Sequence, residues 1–312
     1  MRKAAATLLL ALACAAPAAA EPGRTAAPFL NASLGARSAA MGQAFTAVAG
    51  GGESLNYNPG ALAFEERVSV SASYLRGFGG VEHGFAAVPL PLGAFVLTPG
   101  LMYFDAGNMY LNLSNGFKGD VDAEKDRAVY ASAAWRPCGR LGLGATLKHV
   151  RVELAETASA SELLYDAGLL FRAGRGLSFG AALLNSGGEF TFETDGDPAP
   201  MVGRLGAAWR VEFTPPNLLD KDADLVYFAT LLTADMVKPR EEDAYYQAGL
   251  ELDMDMAVGL LMKLRFGYLF DRPAEGFVFG VGFGDGGWSL DLSFDTGKEM
   301  DARQQATLGY RF

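Results

Sequence analysis

The chain has 312 residues, of which 50% are hydrophobic and 20% charged, with 39 glycines and a formal net charge of −10. This apolar composition excludes a disordered chain, and an acidic balance without a cluster of Lys and Arg excludes a nucleic-acid partner. After the N-terminus no run of about 20 apolar residues marks a membrane-spanning helix, so the apolar residues need another explanation.

The first 20 residues have the features of a secretory signal peptide. Arg2 and Lys3 precede an apolar stretch that ends in Ala18-Ala19-Ala20, an A-x-A cleavage signature. We therefore expect export and cleavage after residue 20. Cys14 leaves a lipoprotein open as an alternative.

The next segment, over 29–66, is apolar but does not alternate. Small residues between positions 35 and 44 allow a short helical turn to lie close to a wall: Gly35, Ala36, Ala39, Ala40, Gly42 and Ala44. Asn58-Pro59-Gly60 then predicts a rigid turn before the first strand.

From Arg67 onward, apolar and polar residues alternate with period two, which predicts strands with two different faces. In 288–295, for example, every second residue is Trp, Leu or Phe. Turn signals divide this region into fourteen predicted strands: 67–76, 81–89, 93–104, 127–136, 140–153, 161–172, 176–185, 200–213, 223–236, 243–252, 259–270, 276–284, 287–296 and 303–312. The even number and the common length of about 9 to 13 residues suit tilted crossings of an outer membrane.

Two further features favour a closed barrel. The connections on one side are mostly tight, whereas the other side has the long segments 105–126 and 185–199, as in bacterial barrels. A soluble β-sandwich would also alternate, but aromatic residues at the ends of the apolar faces, such as Trp135 and Trp209, suit membrane girdles. The predicted fold is all-β, a 14-stranded antiparallel transmembrane β-barrel over 67–312.

The C-terminus carries a possible assembly signal. Leu308, Tyr310 and Phe312 share one face of the last predicted strand, and the chain stops on Phe312. This ending resembles the signal that the barrel-assembly machinery reads in outer-membrane barrels.

Two motifs carry a family resemblance. LGARSAAMGQAFTAVA from Leu34 to Ala49 is followed by SLNYNPGALA from Ser54 to Ala63. This start resembles PorV/PorQ-type outer-membrane proteins, a branch of the long-chain fatty acid transporter (FadL-type) superfamily. Gly60 stands where that family usually has Ala, and Gly51-Gly52-Glu53 replaces its usual acidic pair. A weaker match, from Tyr165 to Gly187, is similar to the family's mid-barrel hairpin.

The resemblance implies an N-terminal hatch, over 21–66, inside the barrel lumen. The candidate hatch residues are Gly35, Met41, Gly42, Phe45, Asn58, Pro59 and Gly60. A periplasmic tail that merely leads into the first strand is the alternative.

Thr98-Pro99-Gly100 predicts a break or kink in the third strand, because proline cannot donate to the ladder and glycine weakens it. In the fatty acid transporters an inward kink of the third strand opens a lateral window to the membrane. The resemblance therefore implies a lateral opening at Pro99 and Gly100, with a simple bend as the alternative.

Inward-facing cations are candidates for contact with a ligand carboxylate, since Arg presents a bidentate fork to such a group. They are Arg204, Arg210, Lys263 and Arg265. Ion pairs with acidic residues inside the barrel, such as Asp166, Glu251 and Asp291, are the alternative.

The sequence predicts no enzyme, no cofactor and no metal site. Gly176 to Gly180 matches G-x-S-x-G, but that motif needs a strand-turn-helix context, and here it begins an alternating strand. After cleavage Cys138 is the only cysteine, which excludes an internal disulfide.

We expect a bacterial outer-membrane protein that contacts membrane lipid and passively transports or binds hydrophobic molecules such as long-chain fatty acids. PorV-like relatives suggest an alternative function. The barrel would then be a type IX secretion accessory that docks or shuttles exported proteins.

Overall fold

The fold is almost entirely β-structure. A computed structural model describes residues 25–112, 116, 118–192, 194–213, 227–255, 260–272, 276–297 and 303–312. The strands are β1 (Ser69–Arg76), β2 (Glu82–Ala87), β3 (Leu90–Leu92), β4 (Phe95–Asp105), β5 (Asn108–Asn112), β6 (Lys118–Asp122), β7 (Glu124–Cys138), β8 (Leu141–Leu154), β9 (Ala158–Gly174), β10 (Leu177–Gly187), β11 (Glu189–Thr191), β12 (Gly196–Pro198), β13 (Val202–Phe213), β14 (Tyr227–Pro239), β15 (Tyr245–Asp255), β16 (Leu261–Leu269), β17 (Phe277–Asp285), β18 (Trp288–Asp295) and β19 (Arg303–Arg311).

The helices are short. They comprise an α-helix, α1 (Ala36–Ala40), and 3-10 helices at Pro28–Asn31, Gly52–Asn56, Pro59–Phe64 and Phe78–Gly80. None of the helices in the described residues is long and apolar enough to span a membrane.

The strands of the large sheet close into a ring. β1 pairs with β19 on one side and with β2 on the other, and antiparallel pairing continues around the ring to β4, which also pairs with β2. The 15 strands of this sheet make fourteen wall strands, because β2 and β3 are two parts of one strand interrupted at Val88 and Pro89. The predicted 14-stranded antiparallel β-barrel is therefore confirmed.

Side chains of the wall alternate between an exposed outer face and a buried inner face. On β1, Val70 and Tyr74 are exposed whereas Ser73 is buried, and β7 alternates in the same way over most of its length. Aromatic and aliphatic side chains dominate the exposed outer face. This is the apolar face that the period-two pattern predicts.

The two ends of the barrel differ. At the end that we call the turn end, short turns follow β3, β7, β9 and β17. At the opposite end, which we call the loop end, the long connections contain two hairpins that the sequence pattern did not reveal, β5 with β6 and β11 with β12. Their arms have only five and three residues, which is too short for a period-two pattern to stand out.

Some wall strands extend further at the loop end than predicted. β7 begins at Glu124 instead of residue 127, and β9 begins at Ala158 instead of residue 161. Hydropathy no longer alternates there, yet backbone pairing continues, as between Lys125 and Glu153. The predicted first residues of β14, 223–226, lie outside the described residues.

The N-terminal segment, residues 25–66, runs along the inside of the wall. Near its start, the Ala26 N–H donates to the Pro198 carbonyl at the loop end, 3.1 Å away. Near its end, Gly60 lies against Gly142, the second residue of β8. The segment therefore extends from the loop end to the turn end before β1 begins.

Candidate functional site

One turn of the N-terminal segment is docked against glycines of three adjacent wall strands. A Cβ on Gly249 of β15 would lie 2.5 Å from the Met41 carbonyl oxygen, and one on Gly280 of β17 would lie 2.5 Å from the Ala40 Cβ. A Cβ on Gly267, between them on β16, would overlap the backbone nitrogen of Gly42. This first docked turn, residues 40–42, therefore fits only because these wall positions lack side chains.

A second docked turn, Asn58 to Gly60, lies against β8 and β9. Cβ atoms on Gly144 and Gly168 would overlap Pro59 and Asn58. The Asn58 side-chain amide donates to the carbonyls of Thr46 and Leu169, both at 2.8 Å, and its Oδ1 accepts from the Gly60 N–H. The predicted rigid turn is therefore tied both to the wall and to the rest of the segment.

Two contacts, at Gly35 and at Phe45, join different parts of the N-terminal segment to each other. A Cβ on Gly35 would overlap the carboxyl group of Glu53, which accepts a 2.9 Å hydrogen bond from the Ser38 N–H. Burial raises the pKa of Glu53, and its hydrogen bonds with Ser38 act in the opposite direction. The ring of Phe45 packs on Tyr57 with centroids 5.5 Å apart.

Asp235 of β14 anchors the middle of the segment. Its Oδ2 accepts from the N–H groups of Phe45 and Thr46, each at 3.0 Å, and from the Thr46 hydroxyl at 2.6 Å. Arg204, a predicted ligand contact, lies 3.2 Å from the same oxygen and also donates to the Gln43 carbonyl. The Arg204 cation is thus already satisfied by the segment and by Asp235.

A second charged group joins the segment to the wall at Glu251. This buried carboxylate accepts from Arg37 of the segment and from Arg265 of β16, each at 2.7 Å, and Arg265 also pairs with Asp291 at 2.7 Å. Burial alone would lower the pKa of Arg37, but the Glu251 carboxylate raises it above its usual value.

The other two predicted contacts, Arg210 and Lys263, share Asp253. Arg210 lies 2.8 Å from one carboxylate oxygen and Lys263 lies 3.5 Å from the other. All four predicted ligand contacts are therefore in ion pairs inside the barrel, which is the alternative that the sequence left open. A cavity of about 430 Å³ at the turn end is lined by charged side chains, Lys263 and Arg265 among them, and by apolar ones such as Phe283 and Trp288.

An apolar site lies on the opposite side of the barrel, toward the loop end. Its walls are the buried side chains of Phe85, Met102, Val150, Leu164 and Phe190, with the half-buried Phe104 packed against them. Phe29 and Leu30 of the N-terminal segment complete this cluster, each only 4% exposed, and the rings of Phe29 and Phe104 stack with centroids 6.1 Å apart. The chain's own apolar side chains therefore fill the site.

A buried polar group lies next to the apolar site. Lys148 pairs with Asp166 at 2.8 Å and donates to the Asn185 side-chain carbonyl at 2.6 Å. A bulge in β10 gives Asn185 a φ of 56°, and its amide donates to Asn31 of the segment at 3.1 Å. Lys148 also lies over the Tyr130 ring, 5.2 Å from its centroid.

The wall is interrupted, but in the strand next to the one that contains Thr98-Pro99-Gly100. β4 pairs with β7 through Pro99 and Gly100 without a shift in register, because Pro99 directs its missing donor away from that ladder. The interruption is instead in the neighbouring wall strand, at Val88 and Pro89, where the Val88 N–H donates to the Pro99 carbonyl at 3.0 Å. Because Pro89 and Pro99 have no N–H group, fewer backbone hydrogen bonds join the second and third wall strands. We call this place the seam.

The N-terminal segment covers this seam from inside. A Cβ on Gly100 would lie 2.9 Å from the Leu55 side chain, and one on Gly52 would lie 2.9 Å from the Ala87 side chain. The 3-10 helix Gly52–Asn56 therefore lies directly behind the thin part of the wall.

The C-terminal residues of the predicted assembly signal face outward. Leu308 is 52% and Phe312 69% exposed. Tyr310 packs between Trp288 and Phe312, with ring centroids 4.6 Å and 4.8 Å away.

Sequence reasoning missed several of the residues that join the segment to the wall. Arg37 is a lone cation in an apolar stretch, and Asp235 is a lone carboxylate in the apolar strand β14. A single charge in such a setting signals a buried partner. Among the described residues, no group of three His, Cys, Asp or Glu side chains is arranged to hold a metal ion.

The fold is similar to that of solved hydrocarbon channels. The toluene transporter TbuX of Ralstonia pickettii aligns with a TM-score of 0.59 and 12% identity over 91% of this chain and 100% of its own. The toluene transporter TodX of Pseudomonas putida aligns with 0.58 and 13% over 89% and 97%. The monoaromatic hydrocarbon channel CymD aligns with 0.50 and 11% over 89% and 97%.

At this level of identity the likeness is one of fold. It agrees with the predicted 14-stranded barrel, and the similar structures named here are transporters or channels, not enzymes. No family model matches the sequence, and no curated protein matches it.

Proposed function

We propose that the protein is an outer-membrane barrel that passively admits a hydrophobic molecule, such as a long-chain fatty acid. The observation that carries this proposal is the apolar site at the loop end, which Phe29 and Leu30 fill. The apolar outer face suits contact with membrane lipid. The fold likeness to TbuX and TodX supports the same class of cargo.

Entry requires the segment's own side chains to leave. Burial of apolar area is worth about 25 cal/mol per Å² whichever molecule supplies it. An incoming apolar chain therefore replaces most of the free energy lost when Phe29 and Leu30 withdraw, and uptake needs no energy source. Lys148 and Asn185, at the edge of the site, would then face the cargo's polar end.

Exit through the wall suits an apolar cargo better than exit through the turn end. The turn-end cavity contains charged groups such as Arg37, Glu53 and Arg265 beside its apolar side chains, and an apolar chain that filled it would remove water from these charges at a cost. At the seam near Pro99 and Gly100, withdrawal of Leu55 would open the lumen toward lipid. In this account the N-terminal segment acts as the predicted hatch, and the two docked turns hold it in the barrel.

Two of the sequence predictions concern delivery to the membrane. We propose that residues 1–20 direct export and that Leu308, Tyr310 and Phe312 are read by the barrel-assembly machinery. Deletion of Phe312 should reduce membrane insertion, as measured by the heat-dependent shift of the folded barrel on a gel.

The transport proposal is tested by oleate uptake in a strain that lacks its own fatty acid transporter. The wild-type chain should give saturable uptake, and Pro99→Ala, which restores a ladder donor at the seam, should reduce it. As a control, Gly203→Ala in β13, a strand distant from the seam, should leave uptake unchanged. Uptake no greater than that of an empty vector would refute the proposal.

A type IX secretion accessory is a second candidate. The observation that favours it is the β5–β6 hairpin, where Met109 and Tyr110 are 41% and 64% exposed at the loop end. Secreted cargo that co-purifies with the wild-type chain but not with a Tyr110→Ser variant, without oleate uptake, would support this function over transport.

A further inference from the structure

The outer face of the wall changes character across three adjacent rows near the loop end. The row nearest the turn end consists of Ala72, Ala86, Leu101, Val129, His149 and Leu163. The middle row consists of Tyr74, Gly84, Tyr103, Arg127, Arg151 and Ser161. The last row consists of Arg76, Glu82, Asp105, Lys125, Glu153 and Ser159. The outer face thus passes from mainly apolar to charged over three successive outward-facing residues of each strand.

The middle row has the features of a membrane boundary. Tyr74 and Tyr103 are 42% and 41% exposed on the outer face, and the Tyr103 ring covers Gly84, where a Cβ would overlap it. Tyrosine combines an apolar ring with a polar tip, and aromatic girdles occur at both interfaces of outer-membrane barrels. Because the strands of such barrels are tilted, only close neighbours in a row share a level in the membrane, and Arg127 and Arg151 follow Tyr103 directly in this row. These two side chains therefore lie near the level of lipid headgroups.

Two arginines lie directly opposite each other in that row. Arg127 of β7 pairs in register with Arg151 of β8, and like charges in directly opposed positions destabilise a sheet. Both point outward, with side chains 62% and 40% exposed.

One carboxylate oxygen serves both arginines. Glu153 Oε1 lies 2.6 Å from Arg151 Nε and 3.7 Å from Arg127 Nη2. It is the one carboxylate in ion-pair distance of either arginine among the described residues. Lys125, in the adjacent row, is matched by Asp122 at 2.6 Å and Asp105 at 4.0 Å. The arginine pair therefore carries an excess positive charge at headgroup level.

We propose that Arg127 and Arg151 bind the phosphate of a phosphorylated lipid headgroup in the leaflet at the loop end, with Tyr103 packed beside it. Two guanidinium forks match the oxygens of a phosphate in geometry and in charge. The site faces the membrane, so its ligand is a lipid of the surrounding leaflet and not the transported cargo. The inference rests on the proposed outer-membrane location but not on transport.

The test uses the full mature chain in detergent and diphosphoryl lipid A as the probe, with binding followed by native mass spectrometry. The wild-type chain should bind phosphorylated lipid A at least about tenfold more tightly than lipid A from which the phosphates have been removed, because two charge-assisted contacts are at stake. The double variant Arg127→Gln/Arg151→Gln should lose this preference. Lys125→Gln, which removes a cation already neutralised, should keep it.

Three outcomes would overturn the inference. Equal binding of phosphorylated and dephosphorylated lipid A would show that the phosphate is not recognised. Retained preference in a double variant that still shows the heat-dependent gel shift would move recognition elsewhere on the barrel. Competition by millimolar inorganic phosphate as strong as by lipid A would contradict a lipid ligand. Phosphate-dependent binding together with absent oleate uptake would leave this site standing and remove only the transport proposal.

Discussion

Two parts of the N-terminal segment are held in the barrel by different kinds of contact. The upper stretch, residues 25–34, is held mainly by apolar side chains, Phe29 and Leu30, in the apolar site. The two docked turns, residues 40–42 and 58–60, are held by backbone that fits against wall glycines. An apolar ligand can replace the apolar contacts that Phe29 and Leu30 make. It cannot replace the close fit of the segment backbone against wall glycines. The difference indicates which part can yield to cargo.

Charged groups reinforce the same difference. The docked part is tied to the wall through Asp235 and Glu251, each with several partners. The upper stretch has fewer polar ties, including Asn31 to Asn185 and Ala26 to Pro198. In our account the upper stretch moves during uptake, Leu55 withdraws from the seam, and the docked turns stay in position.

The largest expected effect follows loss of the Asp235 carboxylate. Asp235→Ala leaves Arg204 buried without its counter-ion, and removal of one partner of a buried pair costs about 3–5 kcal/mol. We expect a marked fall in the temperature of the gel-shift transition and protease cleavage within residues 35–50. Glu66→Gln, which breaks an exposed pair with Arg136, should change the transition little. Similar transitions for the two variants would contradict a structural role for Asp235.

A smaller loss is expected when a glycine slot is filled. Gly267→Ala brings a Cβ into the backbone of the first docked turn, and overpacking costs about 1–3 kcal/mol. The control is Gly203→Ala, whose Cβ would meet only the Lys238 carbonyl at 3.9 Å. If Gly267→Ala unfolds at the same denaturant concentration as the control, the segment does not occupy the slot.

The two stacked phenylalanines should change ligand affinity in opposite directions. Phe29→Ala removes the occupant of the apolar site and should tighten oleate binding severalfold, because the competing state is weakened. Phe104→Ala removes part of the wall and should weaken binding by about tenfold, as expected for a lost apolar contact. Titration calorimetry measures both. Changes of the same sign would show that Phe29 is part of the ligand site instead of its occupant.

The smallest effect concerns pH. Because burial raises the pKa of Glu53, this group stabilises the fold at pH values below its usual pKa, and the contribution is lost as pH rises through the raised value. Glu53→Gln keeps an oxygen for the Ser38 N–H and removes the buried charge. The variant should be at least as stable as wild type at neutral pH, with the difference shrinking toward pH 4 in urea unfolding. A stability difference that grows on acidification would show instead that the charged form of Glu53 stabilises the fold.

The sequence predicted the wall better than the interior. Alternation from Arg67 onward is a local property of each strand, so the number of wall strands and the outward apolar face followed from it. The pairing of Arg37 with Glu251 joins residues 214 positions apart, and no local pattern encodes it. The interruption was predicted at Pro99 but lies at Val88 and Pro89, because a proline on one strand can withhold its donor without ending that strand.

The predicted ligand contacts show the same limit. Charge and inward orientation could be read from Arg204 and Arg265, but their neutralisation by Asp235 and Glu251 depends on the register between strands. Phe29 and Leu30 carried no periodic signal, since they lie in a short 3-10 helix, Pro28–Asn31. Their importance became visible only when the apolar site on distant strands was assembled around them.

The central claim is that the upper stretch moves during uptake while the two docked turns stay fixed, and selective crosslinking tests it directly. In a Cys138→Ser background, one cysteine pair replaces Ala26 and Ala199 and another replaces Ala47 and Ser178, each closed with a cleavable thiol crosslinker. Oleate uptake should stop when the first pair is linked, return on cleavage, and continue when the second pair is linked. Uptake that survives the first link and stops with the second would contradict the account.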